Sequence, residues 1–271
     1  MDRRKYKHAI IAKIYLSYIS LITSMNQELL ITLAILIIAA FLPSIIYLVW
    51  IRNAERYGKK SWFKLAKTFT WGAGLSVIFA LILSYIFVGV ISTPQLQREY
   101  EFLADDTIRP LIIVCVIAPF VEEFTKVLGV FSVKDSLIDL ESGLVFGAAC
   151  GLGFAATENL LYESSTYLAE GFGAAFITIV ILRSIASTLL HGSASAMAGY
   201  GITRGKFEGK YFFLPYYLLA VAMHGIFNFL ASLELLVAGD ISLFAVLLAI
   251  VFSVFSMKYV YKKIRRLDKR S

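Results

Sequence analysis

Seven long apolar stretches set the pattern of this chain, at residues 29–50, 69–91, 111–133, 143–162, 173–200, 212–236 and 241–261. Each has roughly the 20 apolar residues a helix needs to cross a hydrocarbon core about 30 Å thick. Backbone groups in lipid have no water to bond to, so every stretch is predicted to be helical. The expected fold is all-α, a polytopic transmembrane helix bundle of seven spans. A weaker eighth candidate occupies residues 9–23, where Lys13 interrupts an apolar run. Pro43, Pro119 and Pro215 fall within spans and are expected to kink or cap them.

Composition supports this pattern. The 271 residues are 59% hydrophobic and 17% charged, whereas a soluble domain is about half apolar and a quarter charged. The net charge of +7 belongs to loops facing headgroups, and no nucleic-acid partner is expected. The segment after the first span carries Arg52, Arg56, Lys59, Lys60, Lys64 and Lys67, and the one after the fifth carries Arg204, Lys206 and Lys210. The C-terminal tail is also basic, while the segment after the second span carries Glu99, Glu101, Asp105 and Asp106. The positive-inside rule puts the basic loops and tail in the cytoplasm of a multi-pass protein of the cell (plasma) membrane. The expected organisation is a basic, amphipathic N-terminal extension (1–28), one transmembrane domain (29–261) with its core at about 108–230, and a basic tail (262–271). The extension has four readings: an eighth span, an interfacial helix, a loosely signal-like segment, or sequence upstream of a start at Met25. Cys115 and Cys150 lie in apolar helices and are expected to be free, buried thiols.

The charged groups inside the spans change the picture. Glu122, Glu123 and Lys126 sit in the third span, Glu158 in the fourth and Arg183 in the fifth. Unpaired at mid-bilayer, these five would cost roughly 12–17 kcal/mol together. They are therefore expected to share one polar cavity. Lys126 lies three and four residues after the two acids, on their helix face, and could neutralise one of them. The other would be left for proton transfer.

Gly143, Gly147, Gly151, Ala155 and Asn159 recur every four residues, a small-residue stripe that admits a close neighbour. Phe154 and Glu158 lie on the face beside it. Arg183, Ser187, His191 and Ser195 form a polar ladder on the fifth span, continued by Gly199, and His224 and Asn228 stack on the sixth. For most of the glycines ordinary packing is explanation enough.

The ordered motifs Glu-Glu-x-x-Lys (122–126), Phe-x-x-x-Glu-Asn (154–159), His-x7-Gly (191–199) and His-Gly-x-x-Asn (224–228) resemble the PrsW family of intramembrane proteases. That family is placed in the wider group of CAAX prenyl endopeptidases and bacteriocin-immunity-type (CPBP) proteins. The resemblance covers about residues 108–230 and extends to the Gly-rich run before Phe154, to Tyr162 and to Arg183. The chain departs from it at Asn228, where PrsW members often carry Asp and the CAAX endopeptidases Asn, and in its extended N-terminus.

The resemblance implies hydrolysis of a peptide bond in a membrane-anchored protein, for example a single-span regulator such as an anti-sigma factor. It implies catalytic roles for Glu122, Glu123, His191, His224 and Asn228, supported by Lys126, Phe154, Glu158, Asn159 and Arg183. One acid of the Glu122-Glu123 pair, most simply Glu122, would take a proton from water held by His191, while His224 and Asn228 would donate to the oxyanion. No HExxH helix is present, so the expectation is that no metal cofactor is required. The alternative is zinc held by Glu122, Glu158, His191 and His224. A CAAX-type prenyl-protein endopeptidase, an ion-coupled transporter and a non-catalytic membrane scaffold are the competing functions. The transporter lacks a visible inverted repeat.

Overall fold

The computed structural model describes residues 3–237 and 239–268, with the backbone alone for residues 3–26, 234, 240 and 242. The long elements are α1 (Arg3–Arg52), α2 (Trp62–Trp71), α3 (Val77–Ile91), α4 (Pro94–Glu99), α5 (Ile108–Ile112), α6 (Ala118–Phe131), α7 (Leu140–Glu170), α8 (Ala174–Leu182), α9 (Thr188–Phe207), α10 (Phe213–Ala231) and α11 (Asp240–Leu267). No strand occurs among the described residues. The chain divides into two compact units, 1–39 and 40–271, and the site described below lies in the second.

Among the described residues, six helices are long and apolar enough to cross a membrane: Gln27–Arg52, Trp62–Ile91, Leu140–Glu170, Ala174–Phe207, Lys210–Ala231 and Leu243–Leu267. They coincide with six of the seven expected stretches. The remaining one, around 111–133, is helical from residue 108 to 131, but Glu122, Glu123 and Lys126 make it more charged than the most apolar stretch of any of those six. The weak eighth candidate at 9–23 turns on side chains outside those described.

Helix α7 is the central rod. Of its most apolar stretch 78% is buried, against 17–39% for the other five. Its start is fixed by a capping box, in which the Asp139 carboxylate accepts from the Ser142 N–H at 2.7 Å. On one side α7 lies against α9 with no room for a side chain between them. A Cβ at Gly143, Gly147 or Gly151 would overlap the carbonyl oxygens of Gly199, Ser195 and His191 respectively. This is the close approach that the four-residue stripe implied. Outward, α3 and α11 expose Leu81, Ile82, Leu243 and Leu247, as lipid-facing helices should.

Three one-turn π-helices interrupt the rods, at Gly72–Ser76, Ile113–Ile117 and Arg183–Ser187. The second leaves a carbonyl without a backbone donor. In the wider register the Val114 carbonyl would accept from residue 119, which is Pro119 and has no N–H. The Asn228 side chain fills the gap, its Nδ2 donating to the Val114 oxygen at 2.8 Å. The third is closed by the Thr188 hydroxyl, which donates to the Arg183 carbonyl at 3.0 Å.

At the basic end Lys60 is a hub. Its ammonium lies 2.7 Å from Asp139 and 3.3 Å from the fully buried Glu55. Burial works against that ammonium, but Asp139 and Glu55 outweigh it and raise its pKa above the ordinary lysine value. Both cysteines are free; Cys150 is buried and Cys115 only half-buried.

Candidate active site

The acids, imidazoles and cations of α6, α7, α9, α10 and the π-turn before α9 meet in one cluster. Glu123 is fully buried and fully used. Its Oε1 accepts from Lys126 Nζ at 2.8 Å and from His224 Nδ1 at 3.1 Å, and its Oε2 accepts from the Ser195 hydroxyl at 2.9 Å. Glu122 differs. Its side chain is 14% exposed and its Oε2 has no hydrogen-bond partner. Lys126 Nζ lies 3.5 Å and His224 Nε2 3.8 Å from that oxygen. One residue apart, these acids have different surroundings: Glu123 is saturated with buried donors, and Glu122 borders an open space.

That space is a cavity of about 470 Å³ lined by Glu122, Glu158, Tyr162, Arg183, His191 and Asn228 among others. Across it Glu158 Oε2 is 2.6 Å from Arg183 Nη2 and 2.8 Å from His191 Nε2. Asn159 fixes that arginine, accepting from its Nε at 2.9 Å while donating to the Thr188 hydroxyl at 2.9 Å. Arg183 also stacks over the Tyr162 ring at 3.9 Å. Lys126 reaches His191 Nδ1 at 2.9 Å and lies over the Phe154 ring at 4.1 Å. The two imidazoles meet edge to face with centroids 4.6 Å apart.

These contacts fix the tautomers. The Lys126 ammonium only donates, so His191 Nδ1 accepts and Nε2 carries the proton, which it donates to Glu158. The Glu123 carboxylate only accepts, so His224 Nδ1 carries a proton. A neutral His224 then presents a lone pair at Nε2 and donates to an oxyanion only as the imidazolium. Asn228 spends one of its two amide protons on Val114. Ser195 is a member of the site that the sequence marked only as a rung of a ladder; its position one turn beyond His191 was the available signal.

The sequence pattern described as PrsW family intramembrane metalloprotease matches residues 60–257, well over half of the chain. The chain belongs to the PrsW family. It is 27% identical to Protease PrsW of Clostridioides difficile (strain 630), over 73% of this chain and 80% of that protein. It is likewise 27% identical to Protease PrsW of Shouchella clausii (strain KSM-K16), over 73% of this chain and 83% of that protein. A third relative, Protease PrsW of Geobacillus kaustophilus (strain HTA426), is 25% identical over 72% of this chain and 79% of that protein. No solved structure matches the chain. This is therefore a PrsW-like intramembrane protease, a membrane-spanning enzyme.

A PrsW metalloprotease calls for metal ligands, and the cluster can be tested for them. Glu122, His191 and His224 each offer a ligand atom, all within 4.8 Å of one another. The Glu122 Oε2 makes no hydrogen bond, and His224 is backed by a carboxylate in the manner of metal-bound imidazoles. Three carboxyl groups here face two cations, so a further positive charge is accommodated. Glu158 stands outside the three, its Oε2 committed to Arg183 and His191. Donor types and spacing fit a divalent metal on one condition: His191 Nε2 must lose its proton. Zinc titration of the purified PrsW protein should accordingly release at least one proton per ion, with affinity rising about tenfold per pH unit. Binding independent of pH would contradict the tautomers.

The stripe gives a second test. Gly151→Ala would push against the His191 carbonyl, and misplacing a reacting group by about 1 Å can cost 10²-fold. Cleavage should fall by about that factor, whereas Gly74→Ala, where a Cβ meets nothing within 4 Å, should leave it unchanged.

Proposed function

We propose that Glu122 is the acid that activates water, and that the substrate is a membrane-anchored protein cut within or near the bilayer. The observation that carries this is the Glu122 oxygen that makes no hydrogen bond, held only by long ion pairs at 3.5 and 3.8 Å, beside a fully engaged Glu123. Ligand atoms of Glu122 and His191 lie within 4.8 Å of each other, room for a water that Glu122 would hold, with His191 reaching it once its Nε2 proton turns from Glu158. Glu122 takes that water's proton as its oxygen adds to the scissile carbonyl carbon. It returns the proton to the leaving amine as the C–N bond breaks. The oxyanion is met by the second amide proton of Asn228 and, when doubly protonated, by His224. Lys126 and Arg183 hold the neighbouring carboxylates in place. A divalent metal held by Glu122, His191 and His224 would supply Lewis-acid polarisation of the carbonyl. Glu158 is then the remaining proton acceptor at the cavity.

The same reading makes residues 108–131 a seventh span, its charged face turned inward to the cavity. It keeps 108–230 as the catalytic core of one transmembrane domain, with 1–28 and 262–271 as appendages. The basic loops and tail lie in the cytoplasm, and the enzyme sits in the plasma membrane. A single-span regulator of the anti-sigma type is the proposed substrate class, on the strength of family likeness. Kinship with the CAAX endopeptidases rests on Asn228. The test is cleavage of a library of single-span peptides by the reconstituted protein, beside Glu122→Gln and His191→Ala. Loss of cleavage in both variants supports the reading. Wild-type uptake of protons or solute without cleavage would favour a carrier instead.

A further inference from the structure

A second cavity, of about 480 Å³, lies at the basic end of the bundle, away from Glu122 and His191. Its walls are the apolar side chains of Phe131, Leu137, Ile202 and Phe213. Its rim carries Lys134, Lys206 and Lys210 against a single acid, Asp135. All three lysines are exposed, and Lys206 is steadied by donating to the Leu137 carbonyl at 2.8 Å. Lys206 lies one residue from the end of the span Ala174–Phe207, and Lys210 opens the span Lys210–Ala231. The rim is therefore at headgroup level and the apolar walls descend from it. A volume of this size suits a small amphiphile, and basic pockets between helices at this depth suit an anionic headgroup.

We infer that this groove binds an anionic phospholipid, with the phosphate at Lys134 and Lys210 and an acyl chain against Phe131 and Phe213. The inference does not depend on the proposed chemistry. It joins the far ends of α6 and α9, whose other ends supply Glu122, Glu123, Lys126 and His191. A bound lipid would tie those two helices together at the surface.

The test is a phosphatidylglycerol titration of the full chain in neutral detergent, read by native mass spectrometry, with phosphatidylcholine as the neutral lipid. Phosphatidylglycerol should bind in preference. Lys134→Gln with Lys210→Gln should weaken it about thirtyfold. Lys258→Gln with Lys262→Gln, at the same end but outside the groove, should change it less than about threefold by comparison. Gly205→Leu fills the groove without altering charge, since a Cβ there meets Phe213 only at 3.5 Å, and it should also weaken binding. Equal loss in both lysine pairs, or an unchanged affinity in Gly205→Leu, would overturn the site in favour of a diffuse basic surface. Displacement by inorganic phosphate at the lipid's own concentration would overturn the acyl-chain contact.

Discussion

Glu122→Gln is expected to lower the single-turnover cleavage rate about 10³-fold, the middle of the range for losing a positioned proton acceptor. The protein should stay folded. Glu122 Oε2 makes no hydrogen bond, and Lys126 keeps its shorter ion pair to Glu123 at 2.8 Å; removing one carboxylate also lessens the excess of acids over cations in the cluster. An unfolding temperature within about 3 °C of wild type is the expected companion result. A fall in rate that tracked a fall in folded protein would place Glu122 with the scaffold, not with the chemistry.

Glu123→Ala should do the reverse in its primary effect. It strips the acceptor from Lys126, from His224 and from Ser195 in one step, all of them buried. Leaving a buried charge without its partner costs about 3–5 kcal/mol, which is roughly 10 °C of unfolding temperature in a chain of this size. Activity is lost too, through misplacement of His224 and Lys126. Unfolding in mild detergent, read before any activity assay, separates the two acids. A Glu123→Ala protein as stable as wild type would contradict the division of labour.

Most of the bundle was legible because hydrophobic length is a strong signal. Six spans fall where the apolar stretches put them, and the small-residue stripe on α7 meets α9 as its spacing required. The rule that residues three and four apart share a face put Lys126 beside Glu122 and Glu123, and both contacts are made. The cost of intramembrane charge forecast the meeting of Glu158 and Arg183 from different helices.

What was not legible depends on neighbours. Glu122 and Glu123 are adjacent and chemically identical. Only the position of α10 and α9 decides which one receives His224 and Ser195 and which one faces the cavity. The family resemblance implies that Asn228 donates to substrate, yet its first bond goes to a carbonyl that Pro119 leaves open on another helix. The π-turn at Arg183–Ser187 has no local marker such as proline. It places Arg183 so that Asn159 and Glu158 can both be reached.

The central claim is that helices from one bundle enclose a wet cavity into which Glu122, and not Glu123, projects. The most direct measurement is cysteine accessibility. With Cys115 and Cys150 replaced by Ala, Glu122→Cys and Glu123→Cys are each exposed to a small, water-soluble methanethiosulfonate in reconstituted vesicles. Fast modification at position 122 and little at 123 is the predicted result. Equal rates, or modification at 123 alone, would contradict it.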